Sequence, residues 1–272
     1  MVWAMKQTVV DDGVTIAYRV FAGVEPAVVV LHGLAGSSRE FIDTANGLAG
    51  RRVILIDQRG HGHSTTRPAD TSREAYVSDV VAILGKEASG PVTLVGQSMG
   101  AHTAMLVAAG RPDLVRQLVI LEGNQGGGTA DEHRALGDFF RSWTIPFADR
   151  AEASAALGEG PLERAWVEDL EERADGLYPR FDADVMQATI EAVGEPRWAE
   201  WESIEVPTLV FYADGGMFSE EQKAEFVSRG RVVRRVDLTG ASHDAHLDAF
   251  DQWISALRGA VAESAPASWA FR

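Results

Sequence analysis

The amino-acid sequence predicts an α/β fold: an eight-stranded, mostly parallel sheet that is flanked by helices and carries a helical cap insertion. Short runs rich in Val, Ile and Leu recur between stretches with helical spacing, and they do not alternate between apolar and polar positions. Such runs are typical of strands buried on both faces, as in a parallel sheet covered by helices. Six strands are predicted in this way, at residues 28–31, 53–56, 92–95, 118–121, 209–212 and 232–236.

Two further strands are predicted ahead of these six. Residues 6–10 and 15–20 alternate better between apolar and polar positions, and Asp11-Asp12-Gly13 separates them. A turn signal between two alternating segments predicts a β-hairpin. The sheet is therefore expected to begin with an antiparallel pair.

Capping signals mark the starts of two helices between the strands. Thr71-Ser72-Arg73-Glu74 and Ser219-Glu220-Glu221-Gln222 both match the pattern in which a hydroxyl side chain and a Glu or Gln three residues later cap each other's backbone. A third helix, at residues 99–109, consists largely of small residues and ends at Gly110. Small side chains would let this helix pack closely on the sheet.

One long segment breaks the alternation of strands and helices. Between Gly123 and Glu205 no run suits a strand, and the segment opens with Gly126-Gly127-Gly128. We predict a helical cap at residues 124–205, inserted between the two parts of an α/β core at residues 1–123 and 206–262. The end of the chain is rich in Ala, Ser and Pro and is expected to be a flexible tail, at residues 263–272.

Composition and charge restrict the classes of function. The formal net charge of -15 would repel nucleic acid and anionic membranes. The absence of cysteine excludes disulfides, thiolate metal sites and a cysteine nucleophile. No group of His and Asp residues has the spacing of metal ligands, so we expect neither a metal nor another cofactor. The expected partner is a small-molecule substrate, and a homodimer is compatible with the sequence.

The location of the protein is predicted from what the chain lacks. Residues 1–6 carry no basic stretch followed by an apolar core, which a secretory signal would show. No apolar run approaches the roughly 20 residues that span a bilayer. We therefore expect a cytoplasmic protein.

The pentapeptide Gly96-Gln97-Ser98-Met99-Gly100 is the strongest chemical signal in the chain. It has the form G-x-S-x-G, follows the predicted strand at residues 92–95 and opens the small-residue helix. This strand-turn-helix context is what a nucleophile elbow requires, because its glycines permit a tight turn that exposes the serine hydroxyl. Ser98 is therefore the candidate nucleophile.

Four motifs together resemble the α/β-hydrolase family. They are Ser98 in its elbow, His32-Gly33 after the third strand, Asp57-Gln58-Arg59-Gly60-His61-Gly62 after the fourth, and Gly240-Ala241-Ser242-His243 near the end. The resemblance covers almost the whole chain except the cap. It implies a serine hydrolase whose catalytic groups follow the order nucleophile, acid, histidine.

A serine hydroxyl needs an adjacent base, and His243 is the candidate. It lies in a loop after the last predicted strand, where the family places its histidine. An oxyanion hole needs two backbone N–H groups. Met99, directly after the nucleophile, is expected to supply one. By resemblance, Leu34 after His32-Gly33 supplies the other.

Two residues compete for the role of the triad acid. In most relatives the acid follows the seventh strand in a pattern like G-x-x-D, but there this chain has Ala213-Asp214-Gly215-Gly216, so a glycine occupies the acid's place. Glu122 directly follows the sixth strand, and zearalenone-lactone hydrolases, a subset of the family, use a glutamate there. We favour Glu122 and keep Asp214 as the alternative, because either carboxylate could orient the histidine.

The cap is rich in aromatic residues, which favours an apolar cleft between cap and core. We expect Phe139 and Trp143 to contact substrate. The predicted function is hydrolysis of a carboxylic ester or lactone of a medium-sized hydrophobic substrate through an acyl-serine. The alternatives are a carbon–carbon bond hydrolase or cofactor-free lyase on the same triad, and a non-catalytic ligand-binding module.

Overall fold

A single eight-stranded sheet forms the centre of the computed structural model, which describes residues 3–262. The tail predicted at residues 263–272 lies outside this range. The strands of the sheet, in chain order, are β1 (Trp3–Val9), β2 (Thr15–Phe21), β3 (Val24–Leu31), β4 (Arg51–Ile56), β5 (Val92–Gln97), β6 (Val115–Leu121), β9 (Thr208–Gly215) and β10 (Val233–Ser242). The spatial order is β1-β2-β4-β3-β5-β6-β9-β10. The pairs β1–β2 and β2–β4 are antiparallel and the other pairs are parallel, so the predicted fold class is confirmed.

Helices cover both faces of the sheet. They are α1 (Ile42–Gly47), α2 (Arg73–Glu87), α3 (Met99–Gly110), α4 (Ala130–Arg141), α5 (Arg150–Leu157), α6 (Pro161–Asp169), α7 (Ala183–Val193), α8 (Trp198–Ser203), α9 (Glu220–Arg229), α10 (Ala245–Asp248) and α11 (Phe250–Ala262). Within residues 3–262, no helix has both the length and the hydrophobicity that crossing a bilayer requires.

The strand residues divide into two hydrophobic cores, one on each face of the sheet. Along β3, Val29 and Leu31 pack on the face covered by α2 and α3, whereas Val28 and Val30 pack on the face covered by α1 and α11. All four side chains are essentially buried, and each contributes about 1.5 to 3 kcal/mol of hydrophobic stabilisation. Burial on both faces explains why the strand runs in the sequence lack alternation.

The chain between β6 and β9 contains α4 to α8 and also a short hairpin. Its strands are β7 (Glu171–Arg173) and β8 (Gly176–Tyr178), which pair antiparallel. The expectation of a segment without strands was therefore wrong. Strands of three residues are too short to show a period of two, and the acidic residues at the start of β7 gave no apolar signal.

One of the two predicted helix caps is present as expected, and the other lies one residue further along the chain. Ser219 and Gln222 form the predicted reciprocal capping box at the start of α9. At the start of α2 the cap is Ser72 rather than Thr71, because the Ser72 hydroxyl accepts the backbone N–H of Ala75. As a result, Arg73 is the first residue of α2.

Parallel strands bring their carboxyl ends to one edge of the sheet. His32 follows β3, Ser98 follows β5, Glu122 follows β6 and His243 follows β10. Open α/β sheets place their functional groups at this edge, and here it collects the residues that the sequence singles out.

Candidate active site

Ser98 occupies a tight turn between β5 and α3. Its backbone angles are φ 52° and ψ -120°, a conformation that a residue with a side chain rarely adopts. The two flanking glycines are required by space: a Cβ on Gly96 would overlap the Gly100 carbonyl, and a Cβ on Gly100 would overlap the Leu31 carbonyl. The elbow predicted from the sequence is therefore present, with the strand before it and the helix after it.

Backbone strain is concentrated at this site. Among residues 3–262, three residues other than glycine have a positive φ, and they are Ala35, Ser98 and Glu122. A left-handed non-glycine residue costs about 1 to 3 kcal/mol and persists only where its surroundings hold it in place. Ser98 is the candidate nucleophile and Glu122 is the favoured acid. Ala35 directly follows the candidate oxyanion residue Leu34.

Glu122 lies beside His243, on the strand next to the elbow. The Nδ1 atom of His243 is 3.2 Å from the Oε2 atom of Glu122. The carboxylate also accepts the backbone N–H groups of Ala213, at 2.8 Å, and Met217, at 3.0 Å. Burial raises the pKa of Glu122, but the hydrogen bonds from these three residues outweigh it and hold the pKa below its ordinary value. Glu122 is thus a buried, ionised carboxylate at neutral pH.

Asp214 does not face the histidine. Its carboxylate accepts the backbone N–H groups of Gly240, at 2.9 Å, and Ala241, at 3.1 Å, and so ties the end of β9 to the irregular part of β10. The side chain is exposed. Of the two acids that the sequence left in competition, the structure brings Glu122 to His243 and assigns Asp214 a different set of contacts.

The candidate oxyanion residues lie on either side of the elbow. Met99 is the first residue of α3, and Leu34 belongs to the loop after β3. This loop approaches the elbow so closely that a methyl group on Gly33 would lie 3.3 Å from the Ser98 Cβ atom. Leu34 and Met99 also pack in one apolar cluster with Tyr76. Both positions therefore border the candidate nucleophile.

His32 holds the loop that carries Leu34. Its Nδ1 donates to the Gly33 carbonyl oxygen at 2.7 Å, and its Nε2 accepts the backbone N–H of Gln58 at 3.0 Å. The Gln58 side chain in turn donates to the His32 carbonyl at 2.7 Å. Burial lowers the pKa of His32, which keeps the ring neutral and able to accept at Nε2. These contacts give His32 a structural role in the loop.

Gln97 is a site residue that the sequence reasoning missed. Its side-chain nitrogen donates to the carbonyl oxygen of His243, at 3.2 Å, and lies 3.4 Å from a carboxylate oxygen of Asp244. The residue before the nucleophile thereby anchors the loop that carries the histidine. The variable second position of the motif offered no signal for this role.

A second buried pair lies below the loop that carries Leu34. Glu40 and His246 approach to 3.5 Å, and the His246 ring stacks on Phe41. Burial raises the pKa of Glu40 to about 7 and lowers the pKa of His246 to about 4. A Cβ on Gly36 would lie 2.8 Å from the Glu40 carboxylate, so this acid supports the loop from beneath.

The aromatic residues of the segment between β6 and β9 pack over the loop that carries Leu34. Phe140 forms a cluster with Ala35 and Met186, against which Leu34 and Trp143 also pack. Trp143 lines a cavity of about 250 Å³ together with Phe140. Phe139 is 46% exposed and contacts the Trp143 ring at a centroid distance of 5.9 Å. Of the two residues predicted to contact substrate, Trp143 therefore borders a cavity.

Possible metal ligands are dispersed in the part of the chain that the structure describes. Among residues 3–262, no three His, Asp or Glu side chains are grouped so that they could hold a metal ion.

Comparison with known proteins identifies the family. The profile of the alpha/beta hydrolase fold matches residues 26–250, and the chain belongs to this family. Over 111 residues it is 43% identical to the sn-1-specific diacylglycerol lipase ABHD11 of Mus musculus, a match that covers 40% of this chain. That match spans 36% of the length of the lipase, about a third of the relative. The expectation of an enzyme of the α/β-hydrolase class is confirmed at the level of the family.

Solved structures show the same fold over nearly the full chain. The structure of E-2-(acetamidomethylene)succinate hydrolase superposes with a TM-score of 0.86 at 22% identity and covers 96% of this chain and 100% of its own. The enol-lactonase from Burkholderia xenovorans LB400 superposes with a TM-score of 0.75 at 22% identity and covers 95% and 100% of the two chains. At this identity the likeness concerns the fold.

Proposed function

We propose that this protein is a serine hydrolase that cleaves a carboxylic ester or lactone of a medium-sized hydrophobic substrate through an acyl-serine intermediate. The observation that carries the proposal is the hydrogen bond of 3.2 Å between His243 and the buried Glu122, at the sheet edge where Ser98 stands in a strained elbow. Strain at the nucleophile and a paired histidine are expected of a catalytic site and are unnecessary in a binding module.

The protonation states follow from the hydrogen bonds of Glu122. An ionised carboxylate can only accept, so the proton of a neutral His243 resides on Nδ1. Nε2 then has a free lone pair and is the atom that takes the proton of Ser98 as the hydroxyl attacks. The Glu122 charge stabilises the imidazolium that results, and its two backbone hydrogen bonds keep the carboxylate oriented.

The reaction would proceed in two halves. Ser98 Oγ bonds to the carbonyl carbon, and the negative charge that develops on the carbonyl oxygen is stabilised by the N–H groups of Leu34 and Met99. Collapse breaks the bond to the alcohol oxygen, which leaves with the proton from His243. A water molecule, deprotonated by His243, then attacks the acyl carbon. The bond to Ser98 Oγ breaks, the acid leaves, and His243 returns the proton to the serine.

The substrate class is proposed from the surroundings of Leu34. The aromatic cluster built on Phe140 packs against Leu34. Phe140 and Trp143 also line a cavity whose wall carries the charged residues Arg141, Asp182 and Asp184. An apolar aromatic cluster beside Leu34 suits a hydrophobic acyl or lactone ring better than a sugar or phosphate. The lipase and lactonase among the similar proteins agree with this choice.

Two measurements test the proposal. A fluorophosphonate probe should label the purified protein and should fail to label Ser98→Ala, whose fold should be intact by circular dichroism. A series of p-nitrophenyl esters from acetate to octanoate and a panel of lactones should then show turnover. Labelling without turnover of any ester or lactone would favour the carbon–carbon bond hydrolase, and absence of labelling would contradict a serine mechanism.

A further inference from the structure

Arg73 is a buried cation that has no role in the reaction steps proposed above. The residue is 1% exposed at the first position of α2. Among the residues that the structure describes, no carboxylate lies within 4 Å of its guanidinium, and its Nε and Nη1 atoms have no hydrogen-bond partner. The neighbouring Glu74 is largely exposed and pairs instead with Arg197, at 2.9 Å. Burying an unpaired charge is strongly unfavourable, so the position calls for a physical reason.

The contacts of Arg73 point toward the oxyanion hole. Its Nη2 atom donates to the Thr103 hydroxyl and lies 3.5 Å from the carbonyl oxygen of Met99. The guanidinium also lies over the Tyr76 ring, with 4.4 Å between Cζ and the ring centroid. That ring packs in the same cluster as Leu34 and Met99. The cation thus contacts Met99 directly and the cluster that contains Leu34 through Tyr76.

A chain of hydrogen bonds leads from Arg73 to the other half of the hole. The Thr103 hydroxyl lies 2.9 Å from Gln58 Oε1 and 3.2 Å from the Met99 carbonyl. Gln58 donates its side-chain N–H to the His32 carbonyl at 2.7 Å and its backbone N–H to His32 Nε2 at 3.0 Å. His32 begins the loop that carries Leu34. One continuous network therefore spans from α3 to this loop.

We propose that Arg73 is a positioning residue that, through Thr103 and Gln58, holds the two halves of the oxyanion hole in register and places a buried positive charge beside it. The inference rests on the proposed hydrolase function. Burial lowers the pKa of Arg73 only to about 10, so the side chain remains charged at neutral pH. A fixed charge in a site of low dielectric stabilises a developing anion much more than it would in water.

The test separates this role from a purely structural one by comparing kcat, KM and stability in the full-length protein. Arg73→Met fills a similar volume without charge. Replacing a buried, unpaired charge by an apolar side chain is expected to leave the melting temperature unchanged or to raise it. We expect kcat for a p-nitrophenyl ester to fall by about 10- to 100-fold with KM changed less than about threefold, because the oxyanion forms only after binding. Arg73→Lys, which keeps the charge, should recover most of the loss.

Two further variants provide controls in the same region. Arg197→Met removes a positive charge that Glu74 and Glu200 already neutralise, and its kcat should stay within about twofold of wild type. Thr103→Val breaks the network while retaining the shape of the side chain, and Thr103→Ser keeps the hydroxyl. We expect Thr103→Val to lower kcat by about 3- to 10-fold and Thr103→Ser to leave it close to wild type.

The outcomes are distinguishable from failure of the proposed function. If wild type turns over esters but Arg73→Met keeps kcat within about twofold, the inference about Arg73 is wrong and the hydrolase proposal stands. An Arg73→Lys variant as impaired as Arg73→Met, or a loss of kcat that follows a lowered melting temperature, would also overturn the role of the charge. If wild type shows neither labelling nor turnover, the proposed function itself fails.

Discussion

Gly216 leaves free the space that the carboxylate of Glu122 fills. A Cβ on Gly216 would overlap both carboxylate oxygens. Residue 216 stands at the place in the sequence where most relatives would carry the acid, whereas here the carboxylate of Glu122 reaches the same neighbourhood from the end of β6. The missing side chain at Gly216, after β9, therefore leaves the room that the Glu122 carboxylate, after β6, occupies.

Replacing each of the two candidate acids by its amide gives the most direct prediction. Glu122→Gln should lower kcat by orders of magnitude, since a serine protease that loses its acid in this way loses about 10⁴-fold. Asp214→Asn should change kcat little, because the Asp214 carboxylate holds the backbone of Gly240 and Ala241 and makes no contact with His243. Both variants are to be measured on one ester. A severe loss in Asp214→Asn beside a near-normal Glu122→Gln would reverse the assignment.

Gly216→Ala should impair the enzyme without removing any catalytic group. The added methyl group has to displace the Glu122 carboxylate, which would lengthen its contact with His243. A displacement of about 1 Å in a catalytic group can reduce the rate by about 100-fold, and we expect a loss in kcat of about 10- to 100-fold. Gly85→Ala, where an added methyl group would meet nothing within 4 Å, is the control for a glycine-to-alanine change as such. Equal rates for Gly216→Ala and wild type would show that the carboxylate has room to move.

The two aromatic residues proposed to contact substrate should differ in effect. Trp143→Ala removes a ring from the wall of a cavity and should raise KM for octanoyl esters by about 5- to 10-fold, with little change for acetyl esters. Phe139→Ala should have a smaller effect, because that ring is largely exposed. Steady-state kinetics with both esters decides. Equal losses on both esters would assign Trp143 to the packing of the aromatic cluster instead.

Glu40 should make the stability of the protein depend on pH. Burial raises its pKa from 4.5 to about 7, so the folded chain retains a proton that the unfolded chain releases. This contribution is fully present below about pH 4.5 and is lost as pH rises to about 7, by up to about 3 kcal/mol. His246 has the opposite slope, because its pKa is lowered from 6.5 to about 4.

Comparison with Glu40→Gln isolates the Glu40 contribution, since both proteins contain His246. Relative to the variant, wild type should lose unfolding free energy between pH 5 and pH 7.5 in urea titrations. A constant difference between the two proteins over this range would show that Glu40 titrates normally.

Much of the fold was predictable because burial produces patterns that can be recognised within a short stretch of sequence. Strands buried on both faces have uninterrupted apolar runs, and the elbow at Ser98 needs glycines on both sides for reasons of space. The choice between Glu122 and Asp214 as the triad acid could not be decided from such short patterns. It depends on where distant strand ends converge and on which carboxylate the backbone N–H groups of other strands bind.

Other parts of the site left no local record. Arg73 stands in a helix-start pattern typical of an exposed turn, and only packing against Met99 and Thr103 buries it. Gln97 occupies a position of the motif that tolerates any residue. The hairpin of β7 and β8 is too short to display a period. Each of these features arises from contacts between segments that are far apart in the chain.

The neighbouring positions of β5 and β6 have a consequence for inheritance. The candidate nucleophile and the favoured acid belong to one continuous strand–helix–strand stretch at residues 92–122, and the Ser98 N–H donates to the Leu121 carbonyl at 3.0 Å. A gene fragment that encodes this stretch transmits both groups together. Recombination downstream of it could replace the segment over the sheet and reshape substrate choice. The incoming sequence would have to provide only a histidine after the last strand, two backbone N–H groups for the carboxylate, and a glycine where the carboxylate needs room.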